Sequence, residues 1–314
     1  MQRLTFSLAP VPPFRLDLTA WVLRRRSINA TDSWNGEVYS RVVAIDGLGV
    51  FLQITQSGRA RSPRLHINAT ADRIPSDGKA TIIDAVQKLL GVQVNLTAFY
   101  RFAKKDAQLH DLCRRFLGLK PPRFPSVFEG VVNGIACQQL SLHVGLTLLN
   151  RVAARVGIPF ETTSGTRFAF PGPEDLARLS IRAFRQLGFS SNKGLALKRL
   201  AGEMLRGTFD PAKLAHLENR QAVERLLQLR GVGRWTAEYV LLRSLGRTDV
   251  FPGDDVGARN NLAKWLDLKD ALDYNSVNQT LAKWRPYAGL LYFHLLLDNL
   301  ASKPGSEFNS FTTA

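Results

Sequence analysis

The segment Leu229-Arg230-Gly231-Val232-Gly233-Arg234-Trp235-Thr236-Ala237-Glu238-Tyr239 joins two helical patterns. An apolar stripe with Val223, Leu226 and Leu227 runs into it, and a second helix, Thr236 to Leu245, runs out. Two glycines flank one aliphatic residue. Glycine permits φ > 0, so the chain can turn sharply and expose its amide N–H groups. The first N–H groups of the outgoing helix have no intrahelical partner, and its positive dipole end faces the same way. Such a turn is a ready phosphate cradle. Val232 is expected to plug the hairpin into the core, with Arg230 and Arg234 adding charge. The plainer alternative is a tight helix–helix turn that needs glycine for geometry alone.

Working outward, Ala258 to Leu266, Val277 to Trp284 and Tyr287 to Leu300 follow as helices. Upstream, Val127 to Cys137, Leu142 to Val156, a helix opened by Pro173-Glu174-Asp175-Leu176, Asn192 to Leu205 and Ala222 to Leu229 show helical periodicity. Almost no alternating segment appears between about Leu96 and Leu300. The first hundred residues differ. Leu4 to Leu8, Tyr39 to Ile45, Val50 to Thr55 and Arg64 to Ala69 read as strands, the middle two joined by Asp46-Gly47-Leu48-Gly49. Ala20 to Leu23 is a short helix with a basic end. Ile82, Ile83, Val86, Leu89 and Leu90 form a helix closed by Gly91. The expected fold is therefore α+β. An N-terminal antiparallel sheet domain with helices (1–100) precedes a mostly α-helical core (101–301), and a disordered tail (302–314) ends the chain.

With 314 residues, of which 45% are hydrophobic and 22% charged, wholesale disorder is excluded. Forty-two Lys and Arg against 26 Asp and Glu leave a net charge of +16, which favours a polyanionic partner. The basic residues are spread along the chain, as on a folded basic surface. Two cysteines, Cys113 and Cys137, are too few for a four-thiolate zinc site or a disulfide scaffold. His66, His110, His143, His216 and His294 have no ligand-like spacing, so no catalytic metal is expected. The longest late apolar run, Leu290 to Leu297, is interrupted by His294 and falls well short of the ~18 residues of a spanning helix. Met1 to Phe14 has no continuous apolar export segment. The expectation is a cytoplasmic protein with no membrane partner.

Leu-x-Gly-Val-Gly-x-Trp-Thr-Ala-x-Tyr is far more specific than Gly-x-Gly, and it resembles the helix-hairpin-helix of the base-excision DNA glycosylases. Asp249-Val250-Phe251-Pro252-Gly253-Asp254-Asp255 lies where that superfamily places a Gly/Pro-rich loop and an essential aspartate. Ile135-Ala136-Cys137-Gln138-Gln139-Leu140-Ser141 is similar to its Gln-Gln-hydrophobic-Ser segment. Phe170-Pro171 through Leu187-Gly188-Phe189 and Lys193-Gly194, and Trp284-Arg285-Pro286-Tyr287, match two further stretches. In this order they resemble most the AlkA-type 3-methyladenine DNA glycosylases II, over about residues 3 to 300. That family has a helix-hairpin-helix core of two subdomains with the cleft between them.

The resemblance implies a monofunctional glycosylase that flips an alkylated base out of DNA, hydrolyses the N-glycosidic bond and leaves an abasic site in base excision repair. Asp255 takes the catalytic place, and a carboxylate beside C1′ suits an oxocarbenium-like transition state. Asp254 reads as a loop or capping residue. Trp235 and Tyr239, four apart on one helix face, line the base pocket. Leu296 stands where another pocket aromatic would align. Arg230, Gly231, Val232, Gly233, Arg234 and Thr236 form the DNA-binding hairpin, with Thr236 capping the second helix and bonding a phosphate. Gln139 or Leu140 is the wedge that fills the vacated stack. Trp235 occupies the position of the lysine used by strand-cutting relatives, so no lyase chemistry is expected. No cofactor is implied beyond a monovalent cation at the hairpin carbonyls. The partner is double-stranded DNA with damaged bases, met by a monomer on the bacterial nucleoid. The alternatives are a glycosylase for deaminated or oxidised bases and a damaged-DNA-binding protein without catalysis.

Overall fold

The structure, a computed structural model, describes residues 1–75, 77–303 and 306–308. In the N-terminal part β1 (Gln2–Leu8), α1 (Leu16–Arg24), β2 (Ser33–Trp34), β3 (Tyr39–Ile45), β4 (Leu48–Ser57), β5 (Arg64–Ala71) and α2 (Gly78–Leu90) follow one another. The strands form one antiparallel sheet in the order β1-β5-β4-β3-β2. Alternation puts Val50, Leu52 and Ile54 of β4 and Leu65, Ile67 and Ala69 of β5 on the buried face. Ile82, Val86, Leu89 and Leu90 of α2 are buried in the same apolar cluster.

The β3–β4 connection is shorter than expected. Ile45 pairs with Leu48, so only Asp46 (φ 50°) and Gly47 (φ 74°) turn, while Leu48 and Gly49 belong to the strand. Both turn residues have positive φ, the conformation whose twist suits a two-residue hairpin.

Helices dominate thereafter: α3 (Thr97–Ala103), α4 (Ala107–Arg115), α5 (Val127–Cys137) and α6 (Leu142–Val156). A small hairpin, β6 (Pro159–Thr162) with β7 (Gly165–Phe168), interrupts this mostly helical part. Its strands are too short to show alternation, and Phe160 stacks on Phe51 of the main sheet at 5.3 Å. Then come α7 (Pro173–Ala177), α8 (Ile181–Gln186), α9 (Ser191–Leu205), α10 (Asn219–Leu227), α11 (Arg234–Arg243), α12 (Val256–Trp265), α13 (Tyr274–Leu281) and α14 (Ala288–Ala301).

Burial does not divide at residue 100. One apolar cluster joins the sheet and α1–α4 to residues of α12–α14, such as Leu262, Leu281 and Leu291. A second joins α5–α11 around Val131, Leu197 and Val240. A buried charge network bridges the two parts. Arg41 of β3 donates to Asp32 at 2.9 Å and to both carboxylate oxygens of Glu129 on α5 at 2.7 Å. The tail differs from its expected disorder where it is described. Phe308 is buried, with its ring 5.5 Å from Trp21, and Glu307 pairs with Arg24. Apolar area recovered by the aromatic ring outweighs the chain entropy there. The rest of that segment, 304–305 and 309–314, lies outside the described residues.

Candidate active site

The turn between α10 and α11 is built as its glycines dictate. Gly231 has φ +80°, and a Cβ there would stand 2.7 Å from the Ala196 Cβ, so the backbone both bends left-handed and presses against α9. Val232 is buried at the tip and its N–H donates to Leu229 O. Gly233 is the N-cap of α11, extended, with no side-chain cap on the first turn. The orphan N–H groups of that turn are therefore left for an outside acceptor. Arg230 is exposed. Arg234 is half committed: its Nε donates to Asp254 at 2.6 Å and its guanidinium lies 3.5 Å from the Tyr274 ring centroid. Asp254 is thus an ion-pair partner rather than a cap.

Thr236 requires a correction. It is neither the cap nor presented to a phosphate: it is fully buried, and its Oγ1 accepts from Gln138 Nε2 at 2.8 Å. The cause is the crossing of α5 and α11. A Cβ on Gly134 would come within 2.5 Å of the Thr236 methyl, so the small residue on α5 admits the threonine.

The loop after α11 is tied from beneath. Glu238 accepts from Gly253 N at 3.0 Å and from Tyr274 OH at 2.6 Å. Burial raises the Glu238 pKa. This fixes the residues just ahead of Asp255, which is the N-cap of α12. One carboxylate oxygen, Oδ1, accepts from Ala258 N at 2.9 Å. The other, Oδ2, accepts from Trp235 Nε1 at 3.1 Å and from Tyr292 OH at 3.4 Å. Burial, then the Asp255 charge, pushes the Tyr292 phenol well above its ordinary value, so it remains a donor.

This carboxylate lines a cleft of about 750 Å³. Trp235 and Tyr239 stack within it, ring centroids 5.5 Å apart and planes 25° apart. Leu296 lines the cleft without a ring. The further aromatic is Tyr292, one turn earlier on the same face of α14. Arg25, from the residue closing α1, also reaches the cleft: its Nη1 donates to Tyr239 OH at 3.3 Å and its Nη2 to Asn133 Oδ1 at 2.8 Å. Sequence reading missed both Arg25 and Tyr292. The regular spacing of Tyr292, Leu296 and Leu300 marks a shared helix face but not what it faces.

A family model described as "HhH-GPD superfamily base excision DNA repair protein" matches residues 132–286, which take in the second half of α5, the hairpin and Asp255. The chain belongs to the HhH-GPD superfamily. It is 25% identical to the "DNA-3-methyladenine glycosylase" of Bacillus subtilis over 82% of this chain and 85% of that one. It is 26% identical to "DNA-3-methyladenine glycosylase 2" of Escherichia coli, over 90% and 94% of the two chains. Among solved structures, the "3-methyladenine dna-glycosylase from Archaeoglobus fulgidus" superposes with a TM-score of 0.80 at 25% identity, covering 95% of this chain and all of that one.

In this HhH-GPD chain the segment Gln138-Gln139-Leu140 forms the rim of the cleft. Gln139 and Leu140 are exposed, and Gln139 has φ +54°, a left-handed conformation unusual for a side chain. Two anchors hold it. Gln138 Nε2 donates to Gly231 O at 2.9 Å as well as to Thr236, and Lys193 Nζ donates to Ala136 O at 3.1 Å and Gln138 O at 2.7 Å. The monovalent cation expected at the hairpin carbonyls meets Gly231 O and Leu229 O already accepting N–H donors, from Gln138 and Val232. Among the described residues no group of three or more His, Cys, Asp or Glu side chains forms a metal site. No helix among them is long and apolar enough to cross a membrane.

Proposed function

We propose that the protein is a DNA glycosylase of base excision repair that removes alkylated bases of the 3-methyladenine and 7-methylguanine type from double-stranded DNA. Its relatives bear the name DNA-3-methyladenine glycosylase along most of their length. The observation that carries the reading is the Asp255 carboxylate, held in the cleft beside the stacked Trp235 and Tyr239 rings.

An alkylated base is flat and often cationic, so it stacks well on electron-rich rings. Flipping takes it out of the duplex and into the cleft. The N-glycosidic bond breaks with its electron pair going to the base, and positive charge develops on the sugar. The Asp255 carboxylate, fixed by three donors, stabilises that charge and directs water to C1′. Water contributes the new hydroxyl and releases a proton. Gly231, Gly233 and the first turn of α11 hold the strand by its phosphates, with Arg230 and Arg234 adding charge and Val232 seating the turn. Gln139 or Leu140 fills the gap in the stack. We read the protein as a monomer acting on nucleoid DNA in the bacterial cytoplasm.

We further infer that it does not cut the strand. A lyase needs a free amine at the anomeric carbon. Trp235 stands at the hairpin position in question, and the Lys193 amine is engaged by two carbonyls. Borohydride reduction with damaged DNA should trap no covalent adduct, and a strong adduct would disprove this part.

The main test is base release from duplexes carrying one lesion each. 7-Methylguanine and 3-methyladenine should be released by the wild type and not by Asp255→Asn. An Asp255→Asn protein with full activity would remove the mechanism.

A further inference from the structure

Tyr274, the first residue of α13, does not line the cleft, yet it touches every part of the support under Asp255. Its OH donates to Glu238 Oε1 at 2.6 Å, and Glu238 Oε2 accepts from Gly253 N at 3.0 Å. A Cβ on Gly253 would stand 2.8 Å from the Tyr274 ring, so a larger residue there would strike it. The Arg234 guanidinium lies 3.5 Å from the centroid of the same ring, and its Nε pairs with Asp254. Asp255 N donates to Pro252 O at 3.0 Å, closing a turn over 252–255. The Glu238 bond thus ties that turn to α11, and the Arg234–Asp254 pair ties it to the hairpin.

Where the turn sits sets where the Asp255 carboxylate sits, and a misplacement of about 1 Å in a reacting group can cost ~10²-fold in rate. Glu238 is 8% exposed, and a buried carboxylate keeps its charge only with donors. Burial raises its pKa, while the bonds from Tyr274 and Gly253 hold it down. The charged groups that face it are Asp254 of the loop and Arg234 of its own helix, and they act in opposite directions. Protonation of Glu238 exchanges two charge-assisted hydrogen bonds for weaker neutral ones, which slackens the turn.

We propose that Tyr274 is a positioning residue for base release: its hydroxyl, acting through Glu238, seats the turn that presents Asp255, and its ring supports Arg234 of the strand-gripping hairpin. The proposal rests on the glycosylase reading above. One side chain of α13 thereby links the grip on DNA to the placement of the acid, from outside the cleft.

The experiment uses the full chain and a 7-methylguanine duplex under single-turnover conditions from about pH 5 to pH 8, beside a binding titration with an abasic-site duplex. Tyr274→Phe keeps the ring and takes one donor from Glu238. Base release should slow about tenfold at neutral pH, and the acidic fall of the rate should move up by about one pH unit. Affinity for the abasic duplex should stay within about threefold, because the hairpin is intact. Adding Glu238→Gln, whose amide accepts from Gly253 N without titrating, should cancel the pH shift. Tyr274→Leu also removes the ring under Arg234 and should weaken abasic-duplex binding; should it fail to fold by circular dichroism, the Phe variant carries the test. A Tyr274→Phe protein that matches wild type in rate and pH profile overturns the proposal and leaves the glycosylase reading standing. Equal slowing at every pH, unaltered by Glu238→Gln, would mark Tyr274 as packing alone and overturn it as well. Wild type that releases no 7-methylguanine defeats both.

Discussion

Trp235 Nε1 donates to Asp255 Oδ2 across 3.1 Å, so the ring that stacks on Tyr239 also aims the acid. On the proposed reading, one side chain thereby couples base stacking to carboxylate orientation. Trp235→Phe keeps a stacking face and loses the donor. Hydrogen bonds to charged groups contribute roughly 1.5–3 kcal/mol, so base release should slow by about ten- to a hundredfold. Affinity for an abasic-site duplex should stay within about threefold, because the hairpin contacts are intact. Single-turnover kinetics beside a binding titration checks this, and an unaltered rate would sever the proposed coupling.

Asp255 serves two ends at once, capping α12 through Oδ1 and presenting Oδ2 to the cleft. Asparagine caps a helix about as well as aspartate, whereas alanine loses about 1 kcal/mol. Asp255→Asn should therefore unfold near the wild-type temperature and Asp255→Ala earlier, while both lose base release by a factor on the order of 10²–10³. Denaturant melts alongside the activity assay separate the roles. Equal melting of all three proteins would contradict the cap.

The hairpin should show itself in salt. Arg230 is exposed at the turn, and a phosphate contact there contributes about one unit to the slope of log affinity against log salt. Arg230→Ala should weaken binding across all duplexes and flatten that slope by about one. Gly231→Ala is a harsher change, because φ is +80° and Ala196 lies 2.7 Å from the added carbon. It should lose stability and DNA affinity together. Fluorescence anisotropy over a salt series would decide, and an unchanged slope for Arg230→Ala would place the phosphate elsewhere.

His294 is buried, with Nδ1 donating to Leu290 O at 2.8 Å and Nε2 unpartnered. Burial holds its pKa down from 6.5 to about 4. Below pH ~6.5 the unfolded chain takes up a proton that the folded chain refuses. Its stabilising contribution is therefore complete above that pH and is lost as pH falls towards 4, with a slope of at most about 1.4 kcal/mol per unit. His294→Leu should flatten the decline in stability between pH 7 and 5. Matching slopes in the two proteins would rule this out.

Much of the site is visible in the chain because it is local. Gly231 and Gly233 lie next to the helix they open, Asp255 caps the helix it precedes, and Trp235 and Tyr239 share a face by spacing alone. The sheet is equally legible, since Leu65, Ile67 and Ala69 alternate with polar neighbours. Short elements such as β6 and β7 are not, because four residues carry no period.

What tertiary structure alone decides is which distant groups complete the cleft. Arg25 meets Tyr239 across 214 positions, and Tyr292 meets Asp255 across 37. Thr236 reads as a surface cap until α5 closes over it at Gly134. Backbone turns, caps and helix faces follow from covalent neighbours, so sequence determines them. Burial, charge balance and side-chain partnership depend on how separate elements pack, and only the folded chain settles those.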